Sequence, residues 1–143
     1  MVKNLPDKWI RKAIYDAINN VTVNGYKIPC YDTRAPKQSS DFYVILSTQS
    51  NEVDKSVKCG YRWESSILLD ITGVYDINGN TGSRVMVDDI LDIVRQNTGS
   101  LTLDALSGLE IIDINQSFPN DLVSTNLNSI VYRKFIRLEL LIN

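Results

Sequence analysis

Tyr61-Arg62-Trp63-Glu64-Ser65-Ser66-Ile67-Leu68-Leu69-Asp70-Ile71-Thr72-Gly73-Val74 is the stretch whose reading decides the fold. Successive side chains of a strand point to opposite faces, so Trp63, Ser65, Ile67, Leu69 and Ile71 share one side. Arg62, Glu64, Ser66, Leu68 and Asp70 share the other. The first set belongs in a core and the second is mostly wet, the pattern of an antiparallel strand with one packed face. Upstream, Phe42 to Thr48 is rich in aromatic and β-branched residues and predicts a partner strand. Gln49 to Gly60, between the two, carries Glu52, Asp54, Lys55 and Lys58, so the pair is expected to form a long hairpin with a charged tip.

Further along the chain, Asp76 to Gly82 contains Asn78-Gly79 and Asn80, which end the strand. Ser83 then predicts the cap of a helix reaching about Asn97. In that helix Met86, Val87, Ile90, Leu91, Ile93 and Val94 form an apolar stripe that should lie across the sheet, with Asp88, Asp89, Asp92 and Arg95 turned elsewhere. A turn-rich connection, Thr98 to Gly108, leads to a predicted strand from Leu109 to Ser117 and a polar loop from Phe118 to Leu127. The final segment, Ser129 to Ile142, reads as a long strand. Its Ile130, Tyr132, Ile136, Leu138, Leu140 and Ile142 share a face interrupted by Lys134, and Arg133, Arg137 and Glu139 alternate onto the other.

Before the central hairpin, Ile10, Ala13, Ile14, Ala17 and Ile18 recur at helical spacing between Pro6 and Asn19. Pro6 suits the first turn, where its missing N–H has no helical partner. Val21 to Val23 and Tyr26 to Ile28 flank Asn24-Gly25, a pair that supplies the positive φ angles of a tight hairpin turn. Pro29 to Asp41 has no apolar period and reads as a long exposed loop. The expected order is helix, small hairpin, two strands, helix, two strands. That makes an α+β fold, an antiparallel sheet with helices packed on one face.

Composition narrows function by exclusion. At 143 residues with 43% apolar and 22% charged residues, the chain suits a single globular domain spanning residues 1–143. A net charge of -2 lacks the basic excess that phosphate neutralisation demands, so nucleic acid is not the expected main partner. Apolar runs are far shorter than the roughly 20 residues that cross a bilayer, and Met1 to Asp7 has no secretory stretch. No membrane partner is expected, and synthesis is placed in the cytoplasm. The chain has no histidine, which removes the commonest general base and most zinc ligand sets. Its two cysteines, Cys30 and Cys59, are expected as free, inert thiols.

The carboxylates offer the remaining route to chemistry. Asp88 and Asp92, one helical turn apart, have the spacing to chelate a hard cation if other oxygens join them; the plainer reading is a solvated acidic face. Asp76-Ile77-Asn78-Gly79-Asn80 breaks the ligand repeat of a calcium loop at Gly79 and reads as a turn. Trp63 with Arg62 and Lys58 has the groups for base stacking, but a strand tryptophan in an acidic chain belongs to the core. No catalytic residue, cofactor or metal is therefore expected. The alternatives to a structural role are a cytoplasmic adaptor that binds a partner through a sheet edge, or a small carboxylate- or metal-dependent enzyme.

The order of these segments carries a resemblance. Its residues are the N-terminal helix ending near Asn19, Lys27-Ile28-Pro29-Cys30-Tyr31-Asp32, Phe42-Tyr43-Val44-Ile45 opening the charged hairpin, Ser65 to Ile71 running through a glycine-bearing turn into Val85 to Val94, and the two C-terminal strands. Together they resemble the tail terminator and tail completion proteins of tailed bacteriophages, with the related ring proteins of the head-to-tail connector. The resemblance spans nearly the whole chain as element order, with no diagnostic motif. It implies a virion subunit that closes with copies of itself into a ring, a hexamer in tails or up to a dodecamer in connectors. Such a ring would join portal or connector to tail proteins, and genomic DNA would pass through its lumen without sequence-specific binding. The mixed charge of Gln49 to Gly60 departs from that pattern. Sheet edges and the three polar loops are the expected contacts, with Arg34, Lys37, Glu52, Asp54, Lys55, Lys58, Arg62, Phe118, Asp121 and Arg133 as candidate interface residues.

Overall fold

The computed structural model describes residues 4–37, 41–54, 62–76 and 84–143. Helix α1 covers Asp7–Ile18 and buries Ile10, Ile14 and Ile18. Pro6 stands just before it, and its carbonyl accepts the Ile10 N–H at 2.9 Å, so the proline starts the helix without breaking a bond. Strands β1 (Val21–Val23) and β2 (Tyr26–Ile28) form the small antiparallel hairpin. Its turn residues Asn24 and Gly25 have φ of 50° and 86°, the two positive angles that a two-residue turn of this hand requires.

The main sheet is built on two long strands, β4 (Phe42–Val53) and β5 (Trp63–Asp76), joined by β8 (Ser129–Ile142) on the far side of β5. Helix α2 (Val85–Thr98) crosses β5 and β8, and α1 lies beside it over β4. The sequence predicts this framework, though the tip of the hairpin, with Lys55 and Lys58, lies outside the described residues. So does the Asn78-Gly79 turn with Ser83; the residue at the N-cap position is Arg84, with no side-chain cap bond.

Two segments read as loops contain strands. Within Pro29 to Asp41, β3 (Cys30–Asp32) pairs parallel with β4, Cys30 opposite Val44. Within Phe118 to Leu127, β7 (Leu122–Thr125) pairs antiparallel with β8. Both are short and sit at the margins of the sheet, where pairing with a long neighbour supplies an order that local sequence does not. Strand β6 (Ile111–Ser117) follows a 3₁₀ turn at Ala105–Ser107, and the sheet order is β3-β4-β5-β8-β6, with β7 also on β8. The sheet is thus antiparallel apart from β3.

The core lies between the helices and one face of this sheet. Ile67, Leu69 and Ile71 from β5, Val44 and Leu46 from β4, and Ile136, Leu138 and Ile142 from β8 are buried against Ile14, Ile90 and Val94. Trp63 packs against this cluster, as its place on the core face predicts. Lys134 falls on the same face but does not spoil it, because its ammonium reaches Asp88 on α2 and lies 3.5 Å from Asp121. Gly73 marks the closest approach of α2: a Cβ there would stand 2.8 Å from Cγ2 of Val87 and 3.3 Å from the Phe42 ring. Gly73→Ala should therefore cost about 1–3 kcal/mol through overpacking, measured as a lower urea midpoint with helical content unchanged.

Candidate interaction surface

Both helices pack on one face of the sheet, and among the described residues no helix packs on the other, here called the open face. It divides into two halves of different chemistry. Around the first half, the Tyr31 and Tyr43 rings meet at a 60° tilt, 5.9 Å between centroids, and Tyr43, Ile45 and Val131 are each at most 8% exposed. Asp70 is buried among them at 9% exposure, although alternation alone places it on the wet side. Its carboxylate accepts from Arg133 Nη1 at 2.7 Å and from the Thr72 hydroxyl at 3.0 Å, and Arg133 also donates to Thr72 at 3.2 Å. An aspartate removed from water needs this pairing, so Arg133 is fixed inside the subunit by its partner and is not a free cation for a neighbour. Burial also pushes the Tyr43 hydroxyl's pKa upward.

The second half is acidic. Register places Glu52 beside Glu64, and Asp113 and Asn115 beyond Leu141 and Glu139, all on the open side. Ser50, Glu52, Glu64, Asp113, Asn115 and Glu139 line a shallow groove there. None of its four carboxylates has a cationic partner among the described residues; the nearby Arg137 donates instead to Ser66 at 3.4 Å. Sequence reading finds Glu52 and misses the rest, because Asp113 and Glu139 are brought to Glu64 only by strand order.

The margins complete the surface. Strand β3 covers the outer side of β4 only as far as Leu46, whose carbonyl accepts the Thr33 N–H at 3.0 Å. From 48 to 53 the outer edge of β4 has no strand partner among the described residues. On the opposite margin β6 and β7 pair, among the described residues, only with β8. This margin is also apolar for a surface: Ile112, Phe118, Leu122 and Val123 are about half exposed and Leu127 is 96% exposed.

The candidate interface residues distribute over these regions. Arg34 and Lys37 are exposed just after β3, Glu52 is on the open face, and Phe118 follows β6 at 53% exposure. Asp54 donates its backbone N–H to the Arg62 carbonyl at 2.8 Å, which holds both at the base of the hairpin. Asp121 lies 3.4 Å from Arg84 and 3.5 Å from Lys134, so it closes an internal network. Lys55 and Lys58 lie outside the described residues.

The clustered aspartates of α2 are not simply solvated. Asp88 pairs with Lys134, Asp89 accepts from Asn24 Nδ2 at 2.8 Å, and Asp92 lies 3.8 Å from Arg95 in its own helix. The hydrogen bond to Asp88 raises the Lys134 pKa against the opposing effect of burial. Among the described residues no group of three or more histidine, cysteine or carboxylate side chains has the geometry to hold a metal. Cys30 is buried, and burial reinforced by Asp32 pushes its thiol up to about 12; Cys59 lies outside the described residues. No helix among the described residues is long and apolar enough to cross a membrane.

No family model matches the chain, and no curated protein matches it. Among solved structures, a chain of the "Virion of native gene transfer agent (GTA) particle" is similar to it, with a TM-score of 0.62 and 14% sequence identity. The likeness covers 94% of this chain and 96% of that chain. At that identity it speaks for the fold, which the two chains share over nearly their whole lengths.

Two outcomes test the open face. Arg133→Met leaves the Asp70 carboxylate buried and unpaired and should cost on the order of 2 kcal/mol in urea unfolding, whereas Asp70→Leu with Arg133→Met should recover most of it. In a Cys59→Ser background, Cys30 should stay unreactive to a disulfide reagent at pH 8 until the protein is denatured, because a thiol raised to about 12 is protonated there.

Proposed function

We propose that this chain is a structural subunit of a phage-type virion, which closes with copies of itself into a ring at the head-to-tail junction or the tail end. In that position it joins portal or connector to tail, and the genome passes through the ring without sequence-specific contact. It works by fitting neighbours and has no catalytic role. The observation that carries this reading is the fold shared from end to end with a chain of a virion particle. The distribution of polar groups supports it. The α2 carboxylates are engaged by Lys134, Asn24 and Arg95, while what remains available is an open sheet face and two unlike sheet edges. A contact between two different patches of one subunit gives a ring when its rotation closes, and a stable one needs roughly 800 Å² from each partner.

Native mass spectrometry of the purified chain over a range of concentration and salt tests the proposal. The expected outcome is a closed species of six or twelve copies, visible as a ring by negative-stain microscopy. A chain that stays monomeric or dimeric under every condition overturns it and favours an adaptor that offers one sheet edge to one partner.

A further inference from the structure

The two edges that have no strand partner among the described residues have features that fit each other. Strand β6 offers seven residues, Ile111–Ser117, and the uncovered edge of β4 runs from 48 to 53. They lie at the same end of the sheet: Gln49 is opposite Ile67, Ile67 opposite Leu138, and Leu138 opposite Gln116. Three successive antiparallel pairings also make β6 antiparallel to β4. A second copy placed alongside, facing the same way, therefore meets β4 with β6 in the antiparallel sense, its backbone groups opposite unpaired backbone groups.

The same alignment brings acid against acid. At equal level Asp113 of one copy stands opposite Glu52 of the next, on the open face, with Glu64 and Glu139 behind them. The other charged groups that alternation puts on that face include Arg62 and Asp54 at the base of the hairpin, Arg137, which donates to Ser66, and the Asp70–Arg133 pair, which neutralises itself. Like charges directly opposite in a sheet are destabilising, and charged side chains on edges are a known guard against edge-to-edge pairing.

We propose that copies of this chain join head to tail by antiparallel pairing of β6 with the 48–53 edge of the next copy, and that Glu52 and Asp113 hold this contact off in the free subunit. The inference rests on the self-assembly reading above and names its joint. Phe118, exposed directly after β6, adds apolar area to the joint. The guard is electrostatic, so it yields when its charge is screened or removed.

The test uses the full chain in a Cys59→Ser background, Cys30 being buried. Glu52→Gln with Asp113→Asn should self-associate at a concentration about five- to tenfold lower than the parent in sedimentation velocity. Raising NaCl from about 0.05 M to about 0.5 M should strengthen association of the parent and leave that variant nearly unchanged. For geometry, Ser50→Cys with Asn115→Cys should give a ladder of covalent multimers on oxidation, and each single variant should give none. Rings that form without response to either carboxylate, or without the ladder, overturn the joint and leave the ring reading standing. An open-ended ladder without closed species upholds the joint and overturns the ring. Dimers from Asn115→Cys alone indicate a two-fold edge contact and overturn the joint.

Discussion

The pairing of β5 with β8 is the constraint on which the remaining structure depends. The two strands run opposite each other from Trp63 and Ile142 to Asp76 and Ser129 without a register shift. Because side chains alternate with period two, this one ladder assigns every residue of both strands to the helix side or the open side. A slip by one residue would carry Ile67, Leu69, Ile71, Ile136 and Leu138 out of the core and bring Glu64, Arg133 and Arg137 under the helices. The burial of those apolar side chains, each worth about 1.5–3 kcal/mol, holds the register against that alternative. Helix α2 then lies over both strands where Gly73 leaves room for Val87, and α1 takes the remaining place over β4.

What the sequence makes legible follows from this physics. Segments whose periodicity is long and uninterrupted are recovered almost to the residue: Ser129–Ile142 coincides with β8, and the stripe of α2 is buried at Val87, Ile90 and Val94. The strands β3 and β7 are not legible, since three or four residues hold too little pattern and draw their order from β4 and β8. Asp70 is misplaced for another reason. Alternation gives its side correctly, but its burial depends on Arg133, 63 positions away, which neutralises it. The candidate surface suffers most from this limit, because an edge or a shared groove is a relation between segments distant in sequence. Glu52 is recognisable as a charged hairpin residue, whereas its neighbours Glu64, Asp113 and Glu139 become a set only after the sheet is ordered.

Electrostatics on the open face are divided by the same architecture. Toward the Asp76 end, the Asp70 carboxylate and the Arg133 guanidinium pair within a shell of tyrosine and aliphatic side chains. Toward the Trp63 end, carboxylates gather with no ion-pair partner, and the backbone edges on both sides of them have no strand partner, among the described residues. An unguarded edge is a template for uncontrolled pairing, and acid beside such an edge discourages it. On the proposed joint, charges that would serve poorly in the finished interface would serve the subunit before it forms.

The two edges are unlike, and this bears on what kind of assembly they can build. Pairing of β6 with a second β6 would join two copies about a two-fold axis and leave both β4 edges exposed, so the aggregation hazard would persist in the dimer. Pairing of β6 with β4 uses one edge of each kind at every joint, and only closure of the series leaves no edge over. On the joint proposed above, two unlike edges at the same end of the sheet would suit closed rings better than dimers, provided that sheet twist and the angle between copies bring the last edge back to the first.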